Sequence, residues 1–225
     1  MPIIQMFSDL TCPFAYLVHA TWRNLSPHFE GRIQLAHRSL PLEYINRAPT
    51  PKAAIESELP YLFGGEPDIP HAPWGSPESN WPVTVMPAFE AVKCAELQSG
   101  ALADELAWVI RVGFFAHSRC ISMRHVLLDL ASGTGLNMER FTADFDSGVG
   151  KQQVIDEARL GWEEIQVPGS PTWVMPDGTL VSDFGLAQIE LDEDDRPSGS
   201  TPGLPPFARE SALRALIEAA IPPAP

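Results

Sequence analysis

The chain is short of cysteine, with three in 225 residues, and Cys12, Cys94 and Cys120 cannot build a disulfide framework. That scarcity fits a reducing compartment, so a cytoplasmic location is expected. Basic side chains are also few: 15 Lys and Arg stand against 29 Asp and Glu, a formal net charge of −14. Phosphate binding needs clustered Lys and Arg, so no nucleic-acid partner is expected, and the acidic surface reads as serving solubility. No apolar run is long enough to span a bilayer, and no membrane partner is expected. The first residues lack the basic segment and apolar stretch of a secretory leader, so none is expected. His19, His28, His37, His71, His117 and His125 show no ligand spacing with the cysteines, which leaves no metal site to expect. Neither a Ser/His/Asp arrangement nor a phosphate-cradling glycine loop stands out. What is present is 44% hydrophobic residues, enough for one substantial core or two lobes of one domain.

Within that frame, the stretch Ser8-Asp9-Leu10-Thr11-Cys12-Pro13-Phe14-Ala15-Tyr16 places a cysteine where an apolar strand gives way to a helix. Ile3, Ile4, Met6 and Phe7 read as the buried strand. Pro13 suits the first helical turn, where its missing N–H costs nothing. Ala15, Leu17, Val18, Trp22 and Leu25 then supply an apolar face at helical spacing. Cys12 therefore starts a helix, where unpaired N–H groups and the dipole favour an anion. Its pKa is expected below that of a free cysteine, with Asp9 opposing by like-charge repulsion. The competing reading of Cys12 is a small buried hydrophobe.

Far downstream, Gln166-Val167-Pro168-Gly169-Ser170-Pro171-Thr172-Trp173-Val174-Met175 puts a proline directly before a strand. The early strand-Cys-Pro-x-x-helix and the late Val-x-Gly-x-Pro-Thr, in this order with helical segments between them, resemble the DsbA-like branch of the thioredoxin superfamily. The likeness runs from Ile3 to about Gly185. It implies an α/β, thioredoxin-like fold with a four-stranded mixed sheet and a large helical insertion. It also implies a cis Pro171 facing Cys12 as the catalytic residue, with Thr11, Pro13, Phe14, Ser170 and Pro171 as substrate-binding positions. One departure stands out: the family's second cysteine falls at Ala15, so Cys-Pro-Phe-Ala is a one-cysteine version of Cys-x-x-Cys.

Taken in order, the first helix ends near Ser26-Pro27, and Ile33 to Leu40 form a second strand, completing a βαβ unit with parallel strands. His37 shares a face with Ile33 and Leu35. It is read either as a base for Cys12 or as a histidine satisfied by local hydrogen bonds. From Ala48 to Val85 proline, glycine and aromatics dominate, which predicts a long loop whose Tyr61 to Trp81 part covers either the Cys12 site or an edge of the helical lobe. Helices follow over Ala88–Gln98, Leu102–Ala116, Met123–Ala131, Met138–Phe145 and Lys151–Glu164, with Ser122 and Asn137 as N-caps of the third and fourth. Cys94 and Cys120 read as structural thiols. Thr172–Met175 and Leu180–Phe184 flank Pro176-Asp177-Gly178-Thr179, a hairpin signal. In the resulting sheet the first strand sits beside the hairpin and the second lies at the edge. The acidic, then Pro/Gly/Ser-rich Leu191–Gly203 predicts a mobile loop. Phe207, Leu213, Leu216, Ile217 and Ala220 predict a last amphipathic helix, ended by Pro222-Pro223. Residues 1–47 and 166–225 thus form the thioredoxin-like domain, and 48–165 an inserted loop and helical subdomain.

The absence of a thiol at position 15 shapes the chemistry. A dithiol site resolves its own mixed disulfide, whereas Cys12 would need an outside thiol. The first reading is therefore a thiol-disulfide oxidoreductase or isomerase using Cys12 alone, with no tightly bound cofactor. Its cosubstrate would be glutathione or another low-molecular-weight thiol, and its partner a small thiol or disulfide substrate. A second is a glutathione-dependent transferase or small-molecule isomerase, since kappa-class transferases and hydroxychromene-carboxylate isomerases share this fold and insertion but carry serine where Cys12 stands. A third is a non-catalytic binding module. Nothing in the sequence specifies an oligomeric state. Positions 12 and 15 lie one helical turn apart and share a face. Ala15→Cys is accordingly expected to close an internal disulfide under mild oxidation and to speed turnover of a peptide disulfide. Thiol titration and peptide mapping check this, and two thiols that stay apart would show that Cys12 does not begin a helix.

Overall fold

In the computed structural model, which describes residues 1–194 and 196–221, the chain opens with the expected βαβ unit. Strand β1 (Ile3–Ser8) leads into helix α1 (Pro13–Leu25), and β2 (Gln34–Ser39) returns parallel to β1 with Met6 opposite His37. Strands β3 (Thr172–Val174) and β4 (Leu180–Val181) are the hairpin expected around Asp177-Gly178. Gly178 takes φ +89°, a value glycine adopts without strain. Asp177 accepts from the Thr179 N–H. β3 pairs antiparallel with β1, Met6 opposite Trp173, so the mixed sheet runs β2-β1-β3-β4 with β1 beside the hairpin. The fold is thioredoxin-like with a helical insertion between β2 and β3.

The insertion departs from expectation in three places. Ala48 to Val85 is not a loop throughout: after the short α2 (Leu42–Asn46), Lys52–Phe63 forms helix α3, although Pro60 lies inside it. The stripe Ile55, Leu59, Leu62 and Phe63 has a face to bury, and tertiary packing outweighs the proline penalty. The rest of the segment covers the helical lobe, the second of the two expected placements: Trp74 and Trp81 pack on Phe114, the Ala72 N–H donates to Phe115, and the Tyr16 hydroxyl donates to Pro70 at 2.7 Å. Helices α4 (Met86–Glu96), α5 (Gly100–His117), α6 (Arg124–Ser132) and α7 (Met138–Ser147) match their expected segments. Ser122, however, does not cap α6. Its hydroxyl donates to the Thr84 carbonyl, and Met123 occupies the cap position without a side-chain bond. Asn137 does cap α7, accepting from Arg140 N–H. The expected helix Lys151–Glu164 is α-helical only over α8 (Lys151–Arg159) and widens into a π-helical turn at Leu160–Ile165.

Past the sheet, Leu191–Gly203 contributes to a hairpin of β5 (Gln188–Leu191) and β6 (Pro197–Thr201), which replaces the expected mobile loop. Leu186, Ala187 and Ile189 lead it onto the helical core, and this packing outweighs its polar composition. The last helix, α9 (Pro206–Ala220), buries Leu213 and Ile217 against the sheet as expected, but Phe207 is 83% exposed and takes no part. The role of Pro222-Pro223 lies outside the described residues. α1 lies between two cores. Ala15, Val18, Trp22 and Leu25 face Ile4, Met6, Trp173, Leu213 and Ile217, while Tyr16 and Leu17 face the helical lobe with Cys94 at its centre.

Gly161, in the π-helical turn, lies so close to the sheet that an added Cβ would stand 2.7 Å from Leu40 Cδ1 and 2.8 Å from Phe7 Cδ1. Both atoms belong to fully buried side chains with little room to yield. Gly161→Ala is expected to destabilise the fold by ~1–3 kcal/mol in urea unfolding. An unchanged midpoint would show that the turn moves freely off the sheet.

Candidate active site

The site is built where β1 ends. There the chain turns around the Asp9 carboxylate, which accepts from Thr11 N–H and Thr11 Oγ1, each at 2.7 Å, and from Leu42 N–H at 2.8 Å. The Asp9 N–H donates to Ser170 Oγ at 2.8 Å, tying this turn to the loop before β3. Cys12 takes the N-cap position of α1 in extended conformation, and its Sγ donates to the Ser170 carbonyl at 3.2 Å. The Ser170–Pro171 peptide bond is cis. Thr172 Oγ1 donates to Gly169 O at 2.7 Å and holds the loop from the other side.

Burial, not the helix terminus, decides the state of the thiol. Cys12 is 6% exposed, and desolvation is the main influence that pushes its pKa up to about 11. Ser170 and the Ala15 N–H act in the opposite direction, while the negative charges of Asp9 and Glu58 add to the rise. The expected depression of the pKa is thereby corrected. Asp9 itself is raised by burial, against its three hydrogen bonds and the charge of Arg111.

Beneath this turn lies a polar chain that sequence patterning did not reveal. Arg111, on α5, is fully buried and donates to Ser8 Oγ at 2.8 Å and to His19 Nδ1 at 3.2 Å. His19 Nε2 and His37 Nε2 meet the same oxygen, Asp104 Oδ1, at 3.1 and 2.8 Å. His37 is therefore the locally satisfied histidine, not a base for Cys12. The three ligand atoms lie within 4.8 Å of one another, a spacing that invites comparison with a metal centre. The donor chemistry argues against one. Guanidinium has only donors, so His19 Nδ1 accepts and its Nε2 carries the proton, directed at Asp104 and not free to ligate. Burial drives His19 down to about 3, so the imidazole is neutral at physiological pH.

A cleft of about 420 Å³ opens beside the cysteine. Of the residues expected to bind substrate, Phe14, Ser170 and Pro171 line it, whereas Thr11 and Pro13 are buried and do not. Thr11 spends both its donors on Asp9. Cys12 stands behind the wall formed by Ser170. Ser182, Asp183 and Phe184 also line the cleft, and sequence reasoning missed them because only the turn of the β3–β4 hairpin carries a pattern.

A family model described as thioredoxin matches residues 74–193, which takes in Pro171 but not Cys12. Among solved structures, a probable DsbA oxidoreductase of Streptomyces coelicolor superposes with a TM-score of 0.61 at 18% identity, covering 100% of this chain and 93% of that one. The cytosolic disulfide reductase DsbM of Pseudomonas aeruginosa gives 0.56 at 20% identity over 97% and 100% of the two chains, and it has also been solved with GSH. A 2-hydroxychromene-2-carboxylate isomerase gives 0.57 at 13% identity over 96% and 97%. At these identities the likeness concerns the fold.

Because desolvation dominates at Cys12, ultraviolet titration of the thiolate, taken as wild type minus Cys12→Ser, should show about one-hundredth ionisation at pH 9. A Cys12 thiolate formed near neutrality would mean that the helix terminus outweighs burial.

Proposed function

This chain belongs to the thioredoxin family, and from that premise we propose that it is a thiol-disulfide oxidoreductase or isomerase of DsbA-like type in which Cys12 is the sole nucleophile. The observation that carries this reading is the contact of Cys12 Sγ with the carbonyl preceding cis Pro171, at the wall of an open cleft. Sulfur attacks one atom of a substrate disulfide, the S–S bond breaks, and the departing sulfur leaves as a thiol once protonated. The mixed disulfide on Cys12 is then released by an outside thiol, because Ala15, fully buried one turn on, offers no second sulfur. Glutathione or a similar small thiol suits that step, and the likeness to a reductase solved with GSH supports the choice. An extended substrate would lie along Ser170-Pro171, where proline has no N–H to compete for the substrate's backbone. Three free cysteines suit a reducing cytoplasm, and the charge of −14 suits neither nucleic acid nor an anionic membrane as a partner.

The buried, protonated state of the thiol favours a second reading. In the kappa-class and hydroxychromene-carboxylate isomerase manner, bound glutathione would supply the reacting sulfur, with its thiolate near the start of α1 and Cys12 only lining the site. One pair of assays separates the two. Under the first reading, glutathione disulfide adds a single adduct at Cys12, and Cys12→Ser loses adduct and exchange activity together. Conjugation of glutathione to an electrophile that survives Cys12→Ser would overturn the first reading in favour of the second.

A further inference from the structure

The β5–β6 hairpin stands beside the cleft and has no part in the exchange described above. Its sheet has only these two strands, so each keeps one free edge. β6 packs on α3, whereas Leu186, Ala187 and Gln188, the run into β5, line the same cleft as Ser170 and Pro171. The strand nearer the cleft is therefore β5. A free strand edge presents unpaired N–H and C=O groups and accepts a further strand. A register shift between Glu190 and Leu191 interrupts β5 and confines its regular edge to Gln188–Glu190. An edge so short suits one captured segment and resists open-ended pairing.

Charge narrows the choice of occupant. No Lys, Arg or His lines the cleft, while Asp183 does. From there to the tip of the hairpin, residues 182–194 add Glu190, Asp192, Glu193 and Asp194 and contain no basic residue. Arg196, across the turn, is already paired with Asp194 at 3.4 Å. Such a rim repels anionic segments and draws in cationic ones. Phe14, Phe184 and Leu186 give apolar ground for the side chains next to the reacting sulfur. Resting on the reading of Cys12 as nucleophile, we infer that the cleft takes an extended, basic peptide segment carrying a disulfide, clamped between the cis Ser170–Pro171 loop and the free edge of β5. The loop presents the sulfur to Cys12, and the hairpin selects the chain that bears it.

The test uses synthetic peptides with one cysteine held as its 2-pyridyl disulfide, identical except for flanking Lys, Ser or Glu. Attack joins the Cys12 sulfur to the peptide sulfur, and 2-thiopyridone leaves with the bonding pair and takes up a proton, which absorbance follows. Rates are taken as wild type minus Cys12→Ser, so that Cys94 and Cys120 drop out. At low salt the Lys peptide should react about tenfold faster than the Glu peptide, and added salt should close the gap. Glu190→Lys with Glu193→Lys should erase or reverse the preference. Glu30→Lys with Glu139→Lys, an equal change of charge at exposed positions elsewhere, should leave it as in wild type. Backbone N-methylation of the Lys peptide tests the clamp on wild type alone. A segment held from both sides loses rate at successive amides, and one held only by the Ser170–Pro171 loop loses it at alternate amides. Equal rates for the three peptides, a preference that survives the hairpin exchange, or losses at alternate amides only would each overturn the proposal and leave the nucleophile intact. Absence of Cys12-dependent release from every peptide would instead remove the nucleophile, and this docking with it.

Discussion

Enclosure of α1 is the constraint on which the rest depends. Ten of its 13 residues are buried, because the sheet and α9 press on one side and the helical insertion on the other. A helix so enclosed must satisfy its polar side chains internally. Thr21 donates back to Leu17 and accepts from Arg209, and His19 is met from one side by Arg111 and from the other by Asp104. The insertion is therefore not an appendage: α5 supplies both partners of a histidine that belongs to the thioredoxin-like core. Lys93 of α4 repeats the arrangement at β2, donating to the His37 carbonyl and to Glu157.

The same enclosure sets the chemistry of Cys12. A rise from 9.0 to about 11 corresponds to about 3 kcal/mol against the thiolate. A helix terminus typically contributes only ~0.3–1 kcal/mol in its favour. Burial wins, and Cys12 is a guarded thiol, held protonated against the Ser170 carbonyl.

Much of the frame was legible because it rests on local chemistry. Pro13 after Cys12 announces a helix start, Asp177-Gly178 a tight hairpin, and the order of apolar segments the sheet. The late proline facing the early cysteine followed from the resemblance. The failures share one cause, a dependence on neighbours distant in sequence. α3 tolerates Pro60 because other elements receive its apolar stripe, and β5–β6 forms on a surface that the composition of Leu191–Gly203 cannot announce. His19, His37, Asp104 and Arg111 come from α1, β2 and α5, so no spacing connects them. The thiol was misjudged for the same reason: its position on a helix can be read from sequence, but its depth cannot.

The bond from Cys12 to Ser170 spans 158 positions. Closing so long a loop costs little more than closing a shorter one, because the entropy grows only with the logarithm of length. Time behaves differently. At roughly 5–20 residues per second, Cys12 is made on the order of ten to thirty seconds before its acceptor carbonyl. Throughout that interval β1 lacks β3 and the sulfur lacks the wall that shields it. The newborn chain, and not the finished protein, is therefore the form in which this cysteine is most open to oxidants.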